Sequence, residues 1–120
     1  MKSYEKCLHD FLRGVNIAES IIDYSDMKSI RKSNRGVAIY RKNAKYIADF
    51  YSNKTCDFLY LLNHEDENVR ICCAACAIEF MQVDENQKEI IKSIIQKHSD
   101  KSDPAEQMGW HVWLQKYKLL

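Results

Sequence analysis

Glycine and proline are scarce in this chain, with three glycines and one proline in 120 residues. Few runs alternate apolar with polar residues, so the chain reads as helices joined by short polar turns. Gly14, Gly36 and Gly109 lie too far apart to build a phosphate cradle. Neither GxGxxG nor GxxxxGK[ST] occurs, so no nucleotide cofactor is expected. No apolar run approaches the roughly eighteen residues of a membrane span. Lys2, Glu5, Lys6 and Asp10 interrupt the N-terminal stretch, which therefore lacks the apolar core of a signal peptide. Residence in the cytoplasm is the expectation. The five cysteines fit it, because their number is odd and Cys72, Cys73 and Cys76 share one helical segment, where neighbours seldom bridge. They read as small apolar core residues.

A hydrophobic content of 46% with 29% charged residues is that of one globular domain spanning 1–120. Its most informative stretch is Leu61-Leu62-Asn63-His64-Glu65-Asp66-Glu67-Asn68-Val69-Arg70, followed by Ile71 to Ile78 with no polar side chain. A helix over 71–78 has no solvent face, which predicts that it lies at the centre of the domain. Around it the periodicity predicts a first helix over Ser3–Asp23, with Tyr4, Cys7, Leu8, Phe11, Leu12, Val15, Ala18 and Ile22 on one face and Gly14 weakening or bending its middle. A polar connection over 24–33 follows, then a second helix over Asn34–Tyr51 with Val37, Tyr40, Ala44, Ile47, Ala48 and Tyr51 inward. A short third helix covers Thr55–Leu62, capped by Thr55 or Asn53. The fourth starts after Asp66 and reaches Met81, and the fifth spans Glu85–His98 with Ile90, Ile91, Ile94 and Ile95 as its stripe. The sixth opens on Asp103-Pro104-Ala105-Glu106, an N-cap acid, an N1 proline and a capping-box glutamate. Trp110, Trp113, Leu114 and Tyr117 give it an aromatic face.

Leu59, Leu61 and Leu62, then Asp66 and Asn68, then Val69-Arg70, then Ala74, Ala75 and Ala77 resemble one HEAT-type repeat. At nearly full length the chain is also similar to small stand-alone bacterial HEAT-like domains, through the 26–35 segment, the Val69-Arg70 repeat and a closing helix with Trp113. It departs from them in the aromatic Gly109–Trp113 stretch. The resemblance implies an all-α fold, a right-handed α-α superhelix of about five to seven helices, used to bind a large partner rather than to catalyse. It also implies that Arg70 bonds Asp66 or Glu65.

Candidate chemistry is sparse. Cys72 and Cys76 sit one turn apart, but alanines flank them and no second CxxC or HxxxH follows, so no metal is expected. Cys56 with His64, and Cys7 with His9, are not spaced to share a helical face as a nucleophile and its base would. His64 and His98 read as capping or surface residues. Glu85 and Glu89 form a carboxylate pair on a solvated face.

The net charge of +1 conceals an asymmetry. Residues 27–45 carry Lys28, Arg31, Lys32, Arg35, Arg41, Lys42 and Lys45 with no acid, whereas 65–89 hold seven acids against Arg70 and Lys88. Some small helical proteins of the kind this chain resembles serve as immunity proteins, so the resemblance implies, by analogy of fold, a non-enzymatic protein-binding domain that neutralises a bacterial toxin, such as a nuclease, by direct contact. Glu79, Asp84, Glu85 and Glu89 would match the toxin's positive charge and Trp110 would anchor it. Asp66, Glu67, Asp84 and Glu85 also fit a plainer role at helix N-termini. The alternative is a nucleic-acid-binding module using 28–45, with Tyr40 and Tyr46 stacking on bases.

Overall fold

Tyr4, Cys7, Phe11 and Val15 recur at helical spacing, and their burial makes the first element an amphipathic helix, α1 (Tyr4–Glu19). The computed structural model describes residues 1–19 and 26–120, so the expected extension of α1 to Asp23 and the expected connection at Tyr24 and Ser25 lie outside the described residues. Among those described, five further helices follow and no strand: α2 (Met27–Phe50), α3 (Thr55–Leu59), α4 (Glu67–Phe80), α5 (Glu85–Asp100) and α6 (Pro104–Lys116). The fold is all-α, and the six helices contribute to one hydrophobic core.

α2 starts seven residues earlier than the periodicity suggested. Asp26 caps it, its carboxylate accepting from the Lys28 N–H at 3.0 Å and from the Ser29 hydroxyl at 3.2 Å. Lys28, Arg31 and Lys32, which resemble a linker in sequence, are the outward face of this helix. Ile30 and Ser33 turn inward, and Ser33 donates to the Ala18 carbonyl at 3.1 Å.

Gly14 serves packing rather than bending. A Cβ built there would stand 2.7 Å from the Tyr40 amide nitrogen and 2.9 Å from the Gly36 carbonyl oxygen, and a Cβ on Gly36 would collide with the Ala18 backbone nitrogen. The paired glycines let α1 and α2 cross backbone to backbone. At one end of this antiparallel pair Lys2 acts as a tether. Its ammonium donates to Asn43 at 2.5 Å and pairs with Asp10 at 2.7 Å, and its carbonyl accepts from the Tyr51 hydroxyl at 2.5 Å. Asp10 and Asn43 are the buried polar residues of this end. The hydrogen bond from Lys2 holds the Asp10 carboxyl well below the usual carboxylate range.

α3 is one short α-turn flanked by 3-10 turns at Ser52–Lys54 and Tyr60–Asn63, so the expected helix to Leu62 tightens after Leu59. Neither Asn53 nor Thr55 caps it, because the Thr55 hydroxyl donates backward to the Ser52 carbonyl at 2.8 Å. Asp66 caps α4 through the Asn68 N–H at 2.9 Å. No residue from Ile71 to Ile78 is exposed, and Cys73, Ala74 and Ala77 are completely enclosed. Arg70 departs from its expected carboxylate partners. Its guanidinium donates to the carbonyls of His64 at 2.6 Å and Glu65 at 3.1 Å, stitching the polar turn by its backbone.

α5 carries a complete capping box between Asp84 and Gln87 and runs two residues past His98. Ile91 and Ile95 are buried, Ile94 is half-buried, and Ile90 falls outside the stripe at 45% exposure. α6 is capped by Asp103 with Pro104 in the first turn. Glu106 does not close the expected box; its carboxylate faces His98 Nε2 at 3.2 Å. Cys56 is the exception among the cysteines, being exposed where the others are buried or half-buried.

Candidate interaction surfaces

Two of the four acids expected at a partner surface, Glu79 and Asp84, are engaged within the fold. Glu79 is tied between two elements, bonded by Arg41 at 2.5 Å and accepting from the Tyr117 hydroxyl at 3.3 Å, while the Arg41 guanidinium lies 5.1 Å from the Phe80 ring centroid. Burial disfavours the Arg41 charge, but the hydrogen bond and charge of Glu79 outweigh it and raise its pKa. The Asp84 carboxylate is committed to the α5 cap, accepting from the Gln87 N–H at 2.7 Å. Glu85 and Glu89 stay exposed, one turn apart on α5, with Lys88 pairing to Glu85 at 3.1 Å. Asp66 and Asp84 therefore take the plainer capping role weighed for them.

His98 is a junction rather than a cap. Its two ring nitrogens stand 3.2 Å from Glu67 on α4 and 3.2 Å from Glu106 on α6, and its ring meets Trp110 edge-on at 5.9 Å. Lys101 joins Glu67 at 2.7 Å. The hydrogen bonds from Lys101 first and His98 second hold the Glu67 carboxyl below its ordinary value.

α6 rests on this junction with Leu114 buried and Trp110, Trp113 and Tyr117 half-buried against the core, their rings in contact in series at 5.7 and 5.0 Å. Its other face is apolar as well, and uncovered. Met108 is 69% and Val112 57% exposed, and the neighbouring Leu120 is 56% exposed. Gly109 lies on the same uncovered side, and a Cβ built there meets nothing. A shallow apolar groove lined by Glu106, Gly109, Trp110 and Trp113 flanks the ridge on one side. A mixed polar and apolar groove of about 480 Å³ runs between α5 and α6 past Met108, His111 and Leu120. Trp110 lines the first of these grooves, with only part of its ring reaching the surface. The periodicity of the aromatic stripe indicated the covered face of α6; the uncovered face had a signal too, in Met108 and Val112, four residues apart.

The basic segment behaves differently. Arg41 is taken by Glu79 and Lys45 by Asp49 at 2.9 Å. Lys28, Arg31, Lys32, Arg35 and Lys42 are exposed and make no ion pair among the described residues. Tyr40 and Tyr46, expected to interleave with them, turn inward: Tyr40 packs edge-on against Phe11 at 5.8 Å, and the Tyr46 hydroxyl accepts from the Lys2 N–H at 3.2 Å.

Nucleophilic chemistry finds no support in the thiols. Burial pushes Cys72 up to about 11 and raises Cys7, Cys73 and Cys76 as well, the reverse of what an attacking thiolate needs. Cys56 lines an open depression with Ser52, Thr55, Phe80 and Asp84, and the one carboxylate there is the α5 cap. Among the described residues no three His, Cys, Asp or Glu side chains converge as metal ligands would. No described helix is long and apolar enough to cross a membrane. No family model matches the chain, and neither a curated protein nor a solved structure does.

Proposed function

We propose that this chain is a non-enzymatic protein-binding domain that engages its partner through α6, and that the partner is a toxin which the domain neutralises by direct contact. The observation that carries the reading is the doubly apolar α6. One face closes the core, while Met108 and Val112 stand in water beside an open glycine and two tryptophan edges. An apolar strip next to aromatic anchors is how interfaces concentrate their energy. Glu85 and Glu89 supply the charge match, with Glu79 and Asp84 serving the fold that holds them. The helices are read as a HEAT-like right-handed stack, with α3 and α4 as its repeat, on the strength of the Leu59–Ala77 pattern and the enclosed α4.

Co-expression with the product of the adjacent gene tests the proposal. The expected result is relief of a growth arrest and co-purification of the two proteins, both lost in Val112→Lys and Trp110→Ala and only weakened in Glu89→Lys. Harmless neighbouring products, or a complex indifferent to Val112→Lys, would remove it.

A further inference from the structure

A second surface, on α2, is built for a different class of partner. Lys28, Arg31, Lys32, Arg35 and Lys42 recur at helical spacings of three, four and seven, so they line one face of a 24-residue helix. At about 1.5 Å rise per residue, the stripe from Lys28 to Lys42 is roughly 21 Å long. All five are exposed, and among the described residues none is paired with a carboxylate, although the chain as a whole is close to neutral. The acids at the two ends of this helix lie off the run: Asp26 is its N-cap and Asp49 pairs with Lys45. Pairing within the fold accounts for Arg41 and Lys45; among the described residues it leaves five cations in a row without an opposing carboxylate.

We propose that this stripe binds the phosphate backbone of a double-stranded nucleic acid, without reading its sequence. The choice of a duplex over a single strand comes from the tyrosines. Single-strand sites add aromatic platforms for the bases to their cationic grooves. Here Tyr40 and Tyr46 are committed to the α1–α2 interior, so among the described residues none of the five cations has an aromatic ring in contact with it. Such a surface contacts phosphates, which position but do not specify. A regular duplex presents phosphates at fixed spacing to a rigid rod, and the cations then act together.

Fluorescence anisotropy of a labelled 20-base-pair duplex, DNA and RNA in parallel, titrated with the full chain provides the test. Five phosphate contacts predict a log–log salt slope of about −4.5 on DNA, so raising salt fourfold weakens binding by about 500-fold. In Arg31→Gln/Arg35→Gln/Lys42→Gln the slope should shrink to about −1.8, while Lys116→Gln on α6 leaves it unchanged. All are exposed positions, and circular dichroism confirms that each variant is folded. Both duplexes should bind within about tenfold of each other, whatever their base sequence. No anisotropy change at about 25 mM salt, where phosphate contacts are strongest, overturns the proposal. So does a slope reduced by about 0.9 in Lys116→Gln, a third of the change in the triple variant, which would mean net charge alone. Tighter binding of the single strand, or capture by anionic phospholipid vesicles but not by duplex, overturns it as well.

Discussion

Gly36 and Gly109 both sit in the middle of a helix, where glycine costs about 1 kcal/mol relative to alanine. The fold recovers that cost at one of them only. Gly36 faces Gly14 across the α1–α2 crossing, with no room for a methyl group on either side, so both glycines are required by contacts within the chain. Gly109 faces open space. The same residue is structural at one end of the molecule and serves no internal contact at the other. The α1–α2 crossing is closed, its glycines matched from within the chain, whereas α6 leaves an apolar face uncovered.

Replacing the glycines breaks the comparison most directly. Gly36→Ala should destabilise the protein by about 2–3 kcal/mol in urea denaturation, because the methyl group meets backbone, which cannot rotate away. A gain in stability of about 1 kcal/mol, the helix-propensity difference alone, would show that the crossing is loose. Next in size, Glu79→Ala should cost about 1–2 kcal/mol, since it strands Arg41 and removes the acceptor for Tyr117. Arg41→Met/Glu79→Met should recover part of that loss, and completing the cycle with Arg41→Met and Glu79→Met alone measures the coupling. Gly109→Ala reverses the sign, raising stability by about 1 kcal/mol, with the melting temperature following. If α6 docks as proposed, the same change weakens partner binding; a stabilised variant with undiminished binding would place the partner elsewhere.

The smallest effect is the pH response of the α4–α5–α6 junction. The Glu67 carboxyl titrates lower in the folded chain than in the unfolded one. Its contribution is therefore present above the unfolded pKa of about 4.3 and is lost as acid carries the pH down through the folded value. Because Glu67 is about a third exposed, solvent screening keeps the contribution within about 0.5 kcal/mol. Comparing the acid limbs of the stability curves of the parent and Glu67→Gln isolates it, the variant losing less on acidification.

What could be read from the residues follows a physical line. α4 was legible because eight consecutive residues without a polar side chain leave a helix no solvent face. The Asp66 and Asp103 caps were legible because capping is local. The start of α2 was obscured by lysines and serines, which suit a linker and an exposed helix face equally. Only the partner, α1, tells them apart. Arg70, Glu79 and His98 found partners that sequence spacing does not encode, since each bond joins separate segments or uses backbone carbonyls. For the candidate sites, the aromatic stripe with Trp110 was visible, as were the seven basic residues of 27–45. Which two of them carry a carboxylate, and where Tyr40 and Tyr46 point, depended on how the helices dock.

The uneven burial of the five thiols makes the molecule its own reporter. Cys7, Cys73 and Cys76 are sealed in the core and Cys72 is half-covered, leaving Cys56 in the open. A maleimide dye therefore attaches first at Cys56 on the intact chain, with no engineered cysteine. Each transient opening of the α4 layer presents more sulfur to the reagent, so the rate at which further dye is taken up counts those openings directly.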